Sequence, residues 1–140
     1  MESSATQRFS ARQAEFDAIA DFIEAACASL KDEERLRIVL LVEELFANSV
    51  NHGYGGDSDQ PVWLSLRVDD TACRLIYEDC APPYNPFTAA TGTNTEGDID
   101  HRPIGGLGIV LLIELSTRRS YERRGDRNVI ELDVPRVLHH

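Results

Sequence analysis

The sequence predicts an α+β fold, a two-layer sandwich in which a mostly antiparallel, mixed sheet is covered on one face by about three helices. Two observations support this prediction. Apolar residues recur at helical spacing through the first third of the chain, and near residue 110 a glycine turn leads into a continuous apolar segment. Two pairs of segments with alternating apolar residues, each pair joined by a short polar turn, predict two β-hairpins.

The first helix is predicted from about residue 16 to residue 31. Its apolar residues lie three or four positions apart, with acidic residues between them, which indicates one buried face. They are Phe16, Ile19, Ala20, Ile23, Ala26, Cys27 and Leu30. Asp32 is then the predicted N-cap of a second helix that continues to about His52, where a glycine-rich stretch ends it.

The second half of the chain predicts a hairpin, a long loop, a helix and another hairpin. Strands are predicted at residues 62–68 and 72–78, and again at residues 117–123 and 128–134. Between the hairpins, residues 79–103 show no periodicity, and a loop of this length is typical of a lid or a binding loop. A glycine turn then leads into an apolar helix that ends near Leu115.

Composition limits the class of protein. A chain of 140 residues with 42% hydrophobic residues suits a single domain, residues 1–140. The formal net charge of −10 argues against direct binding to nucleic acid or to an anionic membrane surface. The sequence has no signal-peptide pattern and no apolar run long enough to cross a bilayer, so we expect a cytoplasmic protein.

The end of the second helix carries polar residues in a segment that is otherwise apolar nearly all round. Glu44 and Asn48 lie about 40° apart on a helix, and Asn51 is predicted to join the same polar patch, whereas Glu43 lies about 100° away. A carboxylate beside a buried surface needs a compensating charge, metal ion or cavity, which a charged ligand would supply. Alternatively, Glu44 faces solvent and Asn48 binds a loop, and His52 is an ordinary helix-end histidine.

Two further elements suggest a ligand site. The stretch "IGGLGI" at residues 104–109 precedes a helix, where glycines and free amides suit a phosphate, although glycines there are also common for conformational reasons alone. Asp79 follows a predicted strand and could accept a hydrogen bond from the exocyclic amine of a purine, or it could simply cap the turn.

In this order and spacing, the three elements resemble the motifs of the GHKL ATPase superfamily, and most closely those of the small anti-sigma factor serine kinases. The first motif corresponds to "ELFANSVNHGY" at residues 44–54, the second to "DCAPPYNPF" at residues 79–87 and the third to "RPIGGLGI" at residues 102–109. The resemblance extends from about residue 9 to residue 135, and it implies the Bergerat-type ATP-binding fold.

The resemblance implies a role for each matched residue. Asn48 would bind ATP and ligate Mg²⁺, Glu44 would be the catalytic base, and Asp79 would read the adenine. His52 would shape the site near a lid formed by residues 88–103. The phosphates would be cradled by Gly105, Gly106, Leu107 and Gly108. Ala81 would also line the nucleotide site, in a position where glycine is usual in the family.

The implied function is that of a serine/threonine protein kinase that phosphorylates a STAS-type anti-sigma-factor antagonist and otherwise holds a sigma factor inactive. A homodimer is possible on the same ground. The alternative is a non-catalytic, nucleotide-dependent module that sequesters a sigma factor or another partner. Ala81 and the acidic residues of the lid, which lacks lysine, favour this alternative; those acidic residues are Glu96, Asp98 and Asp100.

Overall fold

Five strands form one open sheet in a computed structural model that describes residues 2–90 and 106–137. The strands are β1 (Ser3–Ser10), β2 (Pro61–Val68), β3 (Ala72–Asp79), β4 (Arg118–Arg124) and β5 (Arg127–Pro135). Their order across the sheet is β1-β2-β3-β5-β4. The predicted α+β fold is confirmed, although every strand pair in the described part of the chain is antiparallel rather than mixed.

Four α-helices accompany the sheet within the described ranges. They are α1 (Phe16–Ala26), α2 (Asp32–Asn48), α3 (Pro86–Ala90) and α4 (Gly106–Leu115). Ile23 of α1, Leu41 of α2 and Leu112 of α4 belong to one core cluster with Leu64 of β2 and Leu75 of β3. The core therefore lies between one face of the sheet and three of the helices, as the two-layer prediction requires.

Strand β1 was not predicted, because the sequence gives only a polar start to the chain. It pairs with β2 from Ser3 opposite Val68 to Ser10 opposite Pro61. Phe9 is its one buried residue, and the others are exposed or half-buried. An edge strand with so little buried surface lacks the apolar alternation on which a prediction depends.

The first two helices differ from the prediction at their ends. Helix α1 ends at Ala26 instead of continuing to residue 31, and Lys31, not Asp32, is the N-cap of α2. The backbone N–H of Lys31 donates to the Glu34 carboxylate at 2.8 Å, so a side chain three residues later closes the helix start. The acidic residues Asp32 and Glu33 still occupy the first turn, where the helix dipole favours them.

At its C-terminal end, α2 continues as a π-helical turn over Ser49–Gly53. The N–H of Tyr54 donates to the carbonyl of Ser49 at 2.8 Å. A hydrogen bond between residues five positions apart is characteristic of a π-helix. This turn rotates the last residues of the helix relative to α2. The turn ends at Gly53, close to the predicted end of the helix at His52. Ser49 and His52 lie on the same side as Asn48, since all three line one cavity.

Both predicted hairpins are present, and α3 interrupts the predicted long loop. The β4–β5 turn contains Gly125 with φ +65°, a left-handed conformation that glycine adopts without strain. The remainder of the predicted lid, residues 91–103, lies outside the described residues, as do Glu96, Asp98 and Asp100. No helix in the described ranges is both long enough and apolar enough to span a bilayer.

Candidate functional site

A cavity of about 190 Å³ opens where the end of α2 meets the ends of β3 and β5. Leu45, Tyr77 and Ile130 form apolar walls, and Pro82 and Tyr84 form the rim. The predicted site residues that line it are Asn48, His52, Asp79 and Ala81. Helix, strand and loop thus bring together side chains from segments that lie far apart in the sequence.

Glu44 does not line this cavity itself but lies on α2 next to Leu45 and one turn before Asn48, which do. It is half-buried, whereas Glu43 is exposed. Burial is the main cause that raises the pKa of Glu44, and the charge of Glu43 acts in the same direction, whereas the Asn48 amide and the charge of His52 act to lower it. A carboxylate with a raised pKa is a better proton acceptor than an ordinary surface glutamate. The two adjacent glutamates therefore lie in different environments, and the catalytic role of Glu44 stays a prediction.

Gly108, in the first turn of α4, lies directly against the Glu44 carboxylate. A Cβ atom added at Gly108 would come within 1.8 Å of Glu44 Cδ, so only glycine allows this approach. The first and third motifs are thus in contact. Gly106 and Leu107 begin the same helix, and Gly105 lies outside the described residues.

Asn51 does not join the polar patch predicted for it. Its amide oxygen accepts a hydrogen bond from Gln13 Nε2 at 3.1 Å, on the exposed side of the π-helical turn. The prediction assumed regular α-helical rotation, which ends at Asn48. The patch therefore consists of Glu44 and Asn48, with His52 at the cavity wall.

Asp79 lies at the inner end of the cavity with 8% of its surface exposed. Its Oδ2 accepts from Ser49 Oγ at 2.6 Å, and its Oδ1 accepts from Asn128 Nδ2 at 2.8 Å and from the Ala81 N–H at 3.2 Å. The Tyr77 hydroxyl is 2.7 Å from Ser49 Oγ and extends the network. These hydrogen bonds compensate for the burial of the carboxylate and fix its orientation.

Three residues of this network, Ser49, Tyr77 and Asn128, were not predicted as site residues. Tyr77 lies two positions before Asp79 on the same strand face. Asn128 is the residue opposite Asp79 in the β3–β5 register. A signal for Asn128 was present: it is the polar member of an alternating series otherwise formed by Ile130, Leu132 and Val134. No sequence signal indicated Ser49, because the π-helical turn that directs its side chain toward Asp79 was not predicted.

Tyr54 connects the start of β2 to the end of β3 next to the cavity. Its hydroxyl donates to the Pro61 carbonyl at 2.7 Å and accepts from the Cys80 N–H at 2.6 Å. Burial is the main cause that raises its pKa to about 12. Tyr54 therefore acts as a neutral phenol that holds the chain just after Asp79 in place.

The donor set fits a magnesium ion that is completed by a ligand's own oxygens. The Asn48 amide lies close to the Glu44 carboxylate, and its oxygen is the atom that suits a hard cation. Within residues 2–90 and 106–137, no three His, Cys, Asp or Glu side chains lie close enough to hold a metal ion. Phosphate oxygens would have to supply most of the coordination, as is usual for Mg²⁺ with nucleotides.

An antiparallel sheet covered by helices, with a largely apolar cavity that a few polar side chains enter at the end of α2, defines a domain of the two-layer α+β type. Residues 9–134 match the family of the histidine kinase-like ATPase domain, and the chain belongs to this ATP-binding family. The superfamily predicted from the three motifs is thereby confirmed. The anti-sigma serine kinase subtype stays a prediction.

Among solved structures, the chain is similar to the histidine kinase AdeS of Acinetobacter baumannii. The two share 18% identity with a TM-score of 0.48, over 96% of this chain and 68% of that chain. No curated protein matches this sequence.

Proposed function

We propose that this ATP-binding domain is a serine/threonine protein kinase that transfers the γ-phosphoryl group of Mg-ATP to a STAS-type anti-sigma-factor antagonist. The observation that carries the proposal is the environment of Glu44. Its half-buried carboxylate has a raised pKa, lies close to the Asn48 amide and faces the first turn of α4 at Gly108. The motif resemblance supports the choice of partner, a sigma factor and its antagonist.

In the proposed reaction, the hydroxyl oxygen of the target serine or threonine bonds to the γ-phosphorus as the bond to the leaving ADP oxygen breaks. Glu44 accepts the hydroxyl proton, and Asn48 holds the carboxylate in place. The amide oxygen of Asn48 would help to hold Mg²⁺, which when bound offsets the charge of the phosphates. Most of the rate gain in such reactions comes from positioning and electrostatics, so one well-placed carboxylate suffices.

The base pocket supports adenine as the recognised group. The Asp79 carboxylate accepts three hydrogen bonds from the protein. An ionised carboxylate has about four acceptor sites, so one remains for a single amine donor. The exocyclic amine of adenine supplies such a donor, whereas guanine and hypoxanthine present a carbonyl oxygen at the same position.

A second candidate is a nucleotide-dependent module that sequesters its partner without phosphorylating it. The observation that favours it is Ala81, whose side chain lines the cavity. Glycine is usual at this position in the motif that the sequence resembles. A methyl group at this wall changes the shape of the base pocket, and a protein that uses ATP only to change conformation would tolerate such a change.

Label transfer from radiolabelled Mg-ATP to purified STAS-type proteins separates these candidates. We expect transfer by the wild-type protein and a loss of about 10²- to 10⁴-fold in Glu44→Gln, with ATP affinity retained, because a general base is lost. Glu43→Gln is the matched control and should keep full activity, since Glu43 is exposed. Wild-type ATP binding without transfer would support the binding module, and equal loss of binding in Glu44→Gln would refute the role of Glu44.

A further inference from the structure

We propose that Asn128 is a positioning residue that aims the Asp79 carboxylate at the base and holds the loop of residues 81–84 around it. The purine selectivity of the pocket then depends on an amide that does not itself form the base contact. The inference rests on the proposed function only in that Asp79 reads the adenine of ATP.

Asn128 occupies an inward position at the start of β5, directly opposite Asp79 in the sheet register. The following inward residues of β5, Ile130 and Leu132, are buried and apolar. Asn128 is 6% exposed, so its amide is removed from water and needs hydrogen-bond partners within the protein. A polar side chain in this apolar series is costly unless its contacts are specific.

The amide nitrogen of Asn128 makes three contacts, all with acceptors. It lies 2.8 Å from Asp79 Oδ1 and 3.1 Å from the carbonyl oxygens of both Ala81 and Pro82. A single NH₂ group thus connects the carboxylate to the backbone of the loop that forms the cavity rim. The position of this loop and the orientation of the carboxylate are therefore set together.

The amide oxygen of Asn128 makes three contacts, all with donors. The Tyr121 hydroxyl donates at 2.6 Å, and Arg123 Nη1 and the Tyr84 N–H each donate at 3.3 Å. Arg123 Nη1 also donates to the Ala81 carbonyl at 2.8 Å, so β4 supports the same loop. Two N–H donors are shared among the three acceptors, and two lone pairs among the three donors. Rotating the amide by 180° would oppose oxygen to acceptors and nitrogen to donors, so only one orientation matches all six contacts.

This arrangement determines which acceptor site of Asp79 stays available. Asn128 and the Ala81 N–H occupy Oδ1, and Ser49 occupies one site on Oδ2, which leaves the second site on Oδ2 for a ligand. Without the Asn128 amide, a site on Oδ1 is also vacated and the carboxylate can rotate. The distinction between an amine and a carbonyl at the purine 6-position is then weakened.

Isothermal titration with ATP and with ITP, which carries a carbonyl in place of the amine, tests this role. We expect Asn128→Ala to lose about 10- to 100-fold in ATP affinity, the usual range for a hydrogen bond to a charged group. ITP affinity should change much less, so that the ATP/ITP ratio falls. Arg124→Ala is the matched control, because Arg124 lies on the same hairpin and its side chain binds Glu122.

Asn128→Asp gives a second, independent measurement. It places a carboxylate oxygen 2.8 Å from Asp79 Oδ1 and opposite two carbonyl oxygens, so that the pair must share a proton. We expect a larger loss of ATP affinity than in Asn128→Ala at pH 8, with partial recovery at pH 5.5. Gln60→Glu adds the same charge at an exposed position and should show neither effect.

The outcomes separate this inference from the proposed function. An ATP/ITP ratio in Asn128→Ala that equals the wild-type ratio would overturn the role of Asn128 and leave adenine recognition intact. Equal wild-type affinity for ATP and ITP would overturn adenine reading by Asp79, and the inference with it. If Asn128→Ala fails to fold, Asn128→Ser, which keeps one donor toward Asp79, should give an intermediate ratio, and an unchanged ratio there would refute the proposal.

Discussion

Gly53 and Ala81 face each other across the wall of the cavity. A Cβ atom at Gly53 would lie 2.7 Å from the Ala81 Cβ, closer than two such atoms can approach without a shift. The φ of Ala81 is not positive, so glycine is not required there by the backbone. The methyl group of Ala81 therefore occupies space that the absence of a side chain at Gly53 leaves free.

This contact predicts that the two positions are energetically coupled. Gly53→Ala should lower the free energy of unfolding by about 1–3 kcal/mol, because the added methyl overpacks the site. In the double variant with Ala81→Gly the clash is removed, and we expect about 1–2 kcal/mol of that loss to be recovered. Urea denaturation of the two single variants and the double variant measures the coupling. Strictly additive effects would show that the backbone simply moves apart.

At the residue scale, the sequence predicted the members of the site that belong to one local element. Glu44 and Asn48 are one helical turn apart, so periodicity alone brings them together. Asp79 and Asn128 are neighbours only through the β3–β5 register, which depends on the whole sheet. Polar residues joined by long-range pairing were therefore predicted singly or missed.

Helix α4 contacts α2 at a position where only glycine fits. Gly108→Ala should leave the fold intact, since the group to be displaced is the end of the flexible Glu44 side chain. Glu44 would then be pushed from its position beside Asn48, and we expect label transfer to fall by about 100-fold or more, as when a general base is lost. Transfer assays and thermal melting measure the two effects.

Val110→Ala is the matched control for this helix, because Val110 is 51% exposed. It should keep both the melting temperature and the transfer rate. Wild-type transfer in Gly108→Ala would mean that the contact between α4 and Glu44 is not used in the reaction.

Glu34, in the first turn of α2, connects this helix to the C-terminal segment of the chain. Its carboxylate is 3% exposed and accepts from the Lys31 N–H at 2.8 Å and from the Val137 N–H at 2.5 Å. Arg136 Nε lies 3.7 Å away. Burial acts to raise the pKa of Glu34, but these hydrogen bonds and the Arg136 charge together lower it.

Because the folded-state pKa is lowered, Glu34 stabilises the protein above the unfolded-state pKa of about 4.3, and this contribution is lost as pH falls through the folded-state pKa. We expect Glu34→Gln to lose about 2–3 kcal/mol at pH 7, since one buried N–H loses its acceptor. Urea denaturation should show the difference constant from pH 6 to 8 and smaller below pH about 4. Glu33→Gln, an exposed neighbour, is the control, and a difference independent of pH would contradict the assignment.

At the element scale, the predicted elements were those with a wide buried face. The outer strand β1 has one buried residue among eight, and α3 spans five residues, too few for a helical period to appear. The end of α1 was placed late because Cys27 and Leu30, both buried, continue the apolar spacing beyond the helix. Burial in a turn and burial in a helix leave the same pattern in the sequence.

Over the whole molecule, the site joins segments that are far apart in the sequence. Residues 44–54, 77–84 and 128 line or support the cavity, and Gly108 lies against Glu44. A ligand that contacts these segments together binds the folded state and has no comparable site in the unfolded chain. Ligand binding should therefore raise the free energy of unfolding of the folded domain.

Mg-ATP is expected to raise the melting temperature. At 100 times the dissociation constant, binding adds about 2.7 kcal/mol to the free energy of unfolding, which for a domain of this size corresponds to a shift of about 8–10 °C. Chelation of Mg²⁺ with EDTA should reduce the shift, because the phosphate charges then face Glu44 without a cation. Mg-ITP should give a smaller shift than Mg-ATP, since the available site of Asp79 requires a donor. Equal shifts with and without Mg²⁺ would exclude Asn48 as a ligand of the ion, and equal shifts with ATP and ITP would exclude Asp79 as the group that recognises adenine.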